Sequence, residues 1–66
     1  MRHPHVIKWG SKNGIQSKVT VDSWGEALST ATELAKQFQT TAYIYTQTFG
    51  GLKLKYAVDK YGVGHF

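Results

Sequence analysis

The sequence predicts an α+β fold, a single antiparallel sheet of four to five strands with one helix packed on one face. Three observations predict it. The run SWGEALSTATELAKQFQ, residues 23 to 39, has apolar residues at helical spacing. Strand-like stretches built around glycine turns flank it, HVIKWGSKNGIQSKVTV before and YIYTQTFGGLKLKYAVD after. The helix has one apolar side only, and a sheet face is the natural cover for it. The order is β-β-α-β-β, with a last short β after a turn.

The first hairpin pairs a strand at His5 to Trp9 with one at Ile15 to Val21. A two-residue Asn13-Gly14 loop would mix polar and apolar side chains on both faces. A three-residue loop, Lys12-Asn13-Gly14, closes a type I turn with Gly14 left-handed in a bulge. That register pairs Trp9 with Ser17, Ile7 with Val19 and His5 with Val21. It gathers Ile7, Trp9, Ile15, Val19 and Val21 on one face, and Val6, Lys8, Gln16, Lys18 and Thr20 on the other. A slip of one residue would scramble this sorting.

The helix is expected from Trp24 to Phe38. Ser23 and Glu26 form a capping box at its start. Trp24, Ala27, Leu28, Ala31, Leu34, Ala35 and Phe38 make the apolar stripe. Asp22 and Glu26 sit where negative charge complements the helix dipole.

The second hairpin folds at Gly50-Gly51. One face then reads Tyr43, Tyr45, Gln47, Phe49, Leu52, Leu54, Tyr56 and Val58. The other reads Ile44, Thr46, Thr48, Lys53, Lys55 and Ala57. The aromatic face is expected against the helix and the threonine-lysine face outward. Asp59-Lys60-Tyr61-Gly62 has turn chemistry, with Asp first and Gly last. Val63 to Phe66 could then return as a fifth strand at the sheet edge.

The 66 residues suit one domain, 1–66. A core of this size contributes only about 3–5 kcal/mol unless something staples it. There is no cysteine, so neither disulfides nor a thiolate zinc site is available. The start, MRHPHVIKWG, has no apolar run of signal-peptide length, and no later stretch could span a bilayer. A cytoplasmic chain is expected. His3, His5 and His65 lie near the two ends without a carboxylate to complete a metal site, so no metal and no cofactor is expected. No nucleophile lies beside a base and no carboxylates are paired, so no catalytic residue is expected either.

Seven lysines and one arginine face four acids, a net charge of +4. Their placement is more informative than their sum. The acids Asp22, Glu26, Glu33 and Asp59 fall in turns or on the helix, and none falls in the four main strands. Lys8, Lys18, Lys53 and Lys55 are expected on one outward sheet face, with Thr46 and Thr48 as polar neighbours and Lys36 on the helix as a further basic group. Lysines on strands guard a sheet against edge pairing. On a rigid face they also form a docking surface for phosphates or acidic side chains.

The capped helix SWGEALSTATELAKQ between two hairpins, followed by YIYTQTFGGLKLKYAVDKYG, resembles very small phage-encoded anti-CRISPR proteins. One type of these, directed at type I CRISPR surveillance complexes, has an antiparallel sheet crossed by one helix. The resemblance implies an inhibitor that occupies a surface of such a complex. Basic residues early in the helix help that type make contact. Here Ala27-Leu28-Ser29 stands in that region, so Lys36 or the sheet lysines would have to supply the charge. The expected function is therefore a small basic non-enzymatic binding protein that docks on an acidic protein surface or a nucleic-acid-bound complex. The alternative is direct, weakly sequence-specific DNA or RNA binding through the same face, with a log-log salt slope near −3 to −4 for about four lysines. A third option is a structural or oligomerising module that pairs through the terminal edge strand near Val63 to Phe66, so the chain is expected as a monomer or an edge-paired dimer.

Overall fold

The computed structural model of the chain describes residues 4–10, 14 and 16–65. In chain order its elements are β1 (His5–Gly10), β2 (Gln16–Val21), α1 (Trp24–Phe38), β3 (Ala42–Thr48), β4 (Gly51–Val58) and β5 (Gly64–His65). The strands form one sheet in the order β2-β1-β3-β4-β5, antiparallel throughout. β1–β2 and β3–β4 are hairpins. The helix carries the chain from β2 past β1 to β3, and packs on one side of the sheet. This is the expected α+β architecture, fifth strand included.

The first hairpin adopts the bulged register. His5 pairs with Val21, Ile7 with Val19 and Trp9 with Ser17, which sets Lys8 directly opposite Lys18. Gly14 has φ of 77°, the left-handed conformation that only glycine takes freely. The expected turn at Lys12-Asn13 and the place of Ile15 lie outside the described residues.

The helix starts and stops on local signals. The Glu26 N–H donates to Ser23 Oγ at 3.1 Å, and Glu26 adds negative charge to the first turn. At the other end Gln39 takes a left-handed conformation, φ 51°, and the Thr40 N–H returns to the Ala35 carbonyl at 3.0 Å. The side facing the sheet is a row of small residues. Ala27, Ala31 and Ala35 are completely buried, with Leu28 and Leu34 packed at its margins. Trp24, expected in the buried stripe, is 40% exposed. It stands edge-on to His5 and Tyr56 at the rim of the core.

That alanine row decides which sheet residues lie beneath the helix. An alanine surface admits a close approach, and the space left is filled by Ile7, Ile44 and Ala42, all fully buried. Ile7 and Ile44 are paired across β1 and β3 at the sheet centre. Val21 and Val58 complete the buried set.

The second hairpin therefore corrects the sequence expectation. Its inward row on β3 is Ala42 and Ile44, and Tyr43 and Tyr45 point to the opposite face. The register explains how β4 follows. Thr48 pairs with Gly51, Gln47 with Leu52 and Tyr45 with Leu54, but Ile44 pairs with Tyr56 and Ala42 with Val58. The register shift leaves Lys55 as an extra residue, a β-bulge. Tyr56 and Val58 thus join the core side, while Leu52 and Leu54 share the outer side with the tyrosines. The turn itself is Phe49-Gly50, with Gly51 at φ 108°.

β5 is held by Asp59. Its Oδ1 accepts from the Tyr61 and Val63 N–H groups, each at 2.9 Å, and its Oδ2 lies 3.0 Å from His65 Nε2. The Gly62 N–H closes the turn on the Asp59 carbonyl at 2.9 Å. Phe66 lies outside the described residues. The bond to His65, then those from Val63 and Tyr61, hold the Asp59 carboxyl below its usual range. A carboxyl lowered on folding stabilises the fold above its unfolded pKa and loses that contribution as pH falls through the folded value. Asp59→Asn keeps an acceptor for both N–H groups and removes the charge. Urea midpoints measured between about pH 5 and 2.5 should fall less steeply for that variant than for the parent. Parallel acid limbs would show that the carboxylate charge contributes nothing.

Candidate functional site on the helix-free sheet face

The helix covers one side of the sheet, and no element among the described residues covers the other. Strand alternation decides its content. β2 contributes Gln16, Lys18 and Thr20, and β1 contributes Val6 and Lys8. β3 contributes Tyr43, Tyr45 and Gln47, and β4 contributes Leu52, Leu54 and Ala57. The cross-strand pairs knit these together: Lys8 faces Lys18 on one side and Tyr43 on the other, Val6 faces Tyr45, and Tyr45 faces Leu54.

The face is apolar at its middle and basic on its β1–β2 side. Tyr43 is 41% exposed, Leu52 39% and Leu54 53%. The Lys8 ammonium lies 5.0 Å from the centre of the Tyr45 ring, a cation–π contact. Lys8 and Lys18 stand side by side, and like charges directly opposite in a sheet are destabilising. No strand of the two hairpins contains a carboxylate. Among the described residues the ion pair present is Asp59–His65, so the sheet lysines have no acidic side chain to neutralise them.

The six residues expected on one outward sheet face are divided by the structure, and Lys36, expected as a further basic group, lies on the helix. Lys8 and Lys18 lie on the helix-free face. Thr46, Thr48 and Lys53 have the parity of Ile44 and lie on the helix side of the sheet, with Thr46 paired to Lys53. Thr46 Oγ1 is 3.1 Å from His5 Nδ1, and Thr48 Oγ1 donates to the Gly51 carbonyl at 2.8 Å. Lys55 is the bulge residue. With Thr46, Gln47, Thr48 and Phe49 it lines an open concavity of about 430 Å³ at the hairpin tip. Lys36 belongs to the last turn of the helix, and its side chain runs against Gly62. The single lysine face is therefore not formed, because the bulge changes the phase of β4 between Leu54 and Tyr56.

What sequence reasoning missed is the outward row of Tyr43, Tyr45, Leu52 and Leu54. A signal for it was present in the helix. Alanine at three successive i, i+4 positions leaves no room for a tyrosine beneath it, whereas Ala42 and Ile44 fit.

The arrangement has the anatomy of a docking surface. Tyrosine and leucine supply contact area, and the lysines supply charge at one margin. No helix among the described residues is long and apolar enough to cross a membrane. No family model, curated protein or solved structure matches this chain.

Proposed function

We propose that this chain is a small, basic, non-enzymatic binding protein that docks on a partner protein through its helix-free sheet face. The observation that carries the proposal is the composition of that face: Tyr43, Leu52 and Leu54 stand exposed around a half-buried Tyr45, beside Lys8 and Lys18, with no strand carboxylate among them. Tyrosine is enriched at protein interfaces, and leucine gains nothing from solvent exposure. The unneutralised lysine pair favours a partner with an acidic margin, since acids placed there relieve the Lys8–Lys18 repulsion. A sheet face held by a packed core loses little ordering entropy on binding. In its finer form the proposal is a phage-encoded inhibitor acting in the host cytoplasm on a nucleic-acid-handling complex of the CRISPR kind. Its support is the net positive charge and the resemblance of the hairpin–helix–hairpin order to small anti-CRISPR proteins.

A second reading, direct nucleic-acid binding, is favoured by one specific feature. Tyr43 and Tyr45 project two residues apart on a single strand, with Lys8 against the Tyr45 ring. Such a pair could stack successive bases while the lysines meet phosphates.

One experiment separates the two. The parent and a variant carrying Lys8→Gln, Lys18→Gln, Tyr45→Ala and Leu54→Ala are used as bait in a nuclease-treated bacterial lysate. In parallel both are titrated with fluorescent single- and double-stranded DNA and RNA. Protein docking predicts a stoichiometric complex that survives nuclease and is lost by the variant. Equal retention by parent and variant would remove the face from consideration. Direct nucleic-acid binding predicts oligonucleotide affinity with a log-log salt slope of about −1.4 to −1.8, because two lysines rather than four lie on this face.

A further inference from the structure

β2 forms one edge of the sheet, and its outer side has no ladder partner among the described residues. Alternate residues of an antiparallel edge turn both backbone N–H and C=O outward. Proteins ordinarily blunt such edges with prolines, bulges, several charges or short strands. β2 has few of these devices. It is six residues long, contains no proline, pairs with β1 without a register shift, and carries Lys18 as its one charge. The opposite edge is guarded, with the Lys55 bulge, Lys53 beside it and β5 laid over the end of β4.

We propose that two copies of the chain pair antiparallel through β2, about a two-fold axis perpendicular to the sheet. Such an interface is isologous: what residue i meets, its counterpart meets in return. Side chains that pair across it must lie on the same face, which leaves two central registers. An axis at Lys18 would oppose the two ammonium groups directly, which is unfavourable. An axis at Val19 opposes Val19 to Val19, Lys18 to Thr20 and Ser17 to Val21 of the second copy. This register keeps the lysines apart and brings β-branched side chains together on the helix side. The helices do not obstruct it, because α1 lies mainly over β1 and β3. The product is one continuous sheet with both helices on one side. Both Lys8–Lys18 pairs and both tyrosine rows then share the other side. A partner with two acceptor patches would be held by both copies at once.

The charge of +4 on each copy opposes association, so added salt strengthens the dimer. It would weaken binding to an anionic partner, which keeps the two events distinct. The test is sedimentation equilibrium of the full chain at two salt concentrations, with variants at the exposed residue Thr20. Thr20→Glu places a carboxylate opposite Lys18 twice and should tighten the dimer by about 2- to 30-fold. Thr20→Lys should weaken it by a similar factor. The double variant Lys18→Glu/Thr20→Lys sets the same opposite charges across the junction with their signs exchanged, and should tighten the dimer as Thr20→Glu does. A chain that stays monomeric at millimolar concentration in high salt overturns the proposal. So does a dimer indifferent to all three variants, or a β2 edge that takes up a strand from another protein while the chain alone stays monomeric.

Discussion

Ile44→Ala should unfold this protein, whereas Tyr45→Ala, one position along the same strand, should leave it folded. Ile44 is completely buried beneath the alanine row of the helix and paired with Ile7, the other large side chain with no exposure. Truncating a buried isoleucine costs about 2–5 kcal/mol, including the cavity left behind. A core of this size contributes only about 3–5 kcal/mol in total. Tyr45 faces away from the helix. Its loss removes two cross-strand contacts, with Val6 and with Leu54, and the Lys8 cation–π pair, worth about 0.2–1 kcal/mol each. Urea unfolding followed by far-ultraviolet circular dichroism compares the two directly. The reverse result, a folded Ile44→Ala and an unfolded Tyr45→Ala, would mean that the aromatic row packs the core.

Ala31→Leu should be nearly as damaging, although it adds apolar volume to an apolar site. Ala31 is the middle of the three buried alanines, so a longer side chain there must push the helix off the sheet or displace Ile7 and Ile44. Overpacking costs about 1–3 kcal/mol in ordinary cores, a large share of what is available here. The control is Ser29→Leu on the exposed side of the helix, which should leave the unfolding midpoint near the parent's. A stabilised Ala31→Leu would show that a void separates helix and sheet.

The contrast between Ile44 and Tyr45 also shows how far the sequence could be read. Wherever a signal was local, it was sufficient. Ser23 and Glu26 placed the helix start, Gly14 placed the first bulged turn, and Asp59 with Gly62 placed the turn into β5. The first hairpin could be registered because only one register sorts Ile7, Val19 and Val21 from Lys8 and Lys18. The second hairpin has apolar residues on both faces, Ile44 and Ala57 against Tyr43, Tyr45 and Leu54, so alternation alone does not choose between them. Hydrophobicity favours the aromatic row; the available space favours Ala42 and Ile44. The space is set by the helix, an element distant in sequence, and the Lys55 bulge has no signature in the residues around it. Once β4 changes phase there, Lys53 and Lys55 can no longer share a face with Lys8 and Lys18. The candidate site was thus legible on the first hairpin and not on the second.

The strand order has a kinetic consequence. β1–β2 and β3–β4 each close through short loops, but β1 meets β3 only after the whole of β2 and the helix have been traversed. Two fast local steps are therefore followed by one slow non-local one, whose entropy cost is the closure of the long intervening segment. Ile7 and Ile44 lie at that seam. The same pair that dominates the stability of the core thus sits where the rate of folding is decided, and the hairpin tips, with Phe49 and the concavity beside it, are free to vary without slowing the chain's assembly.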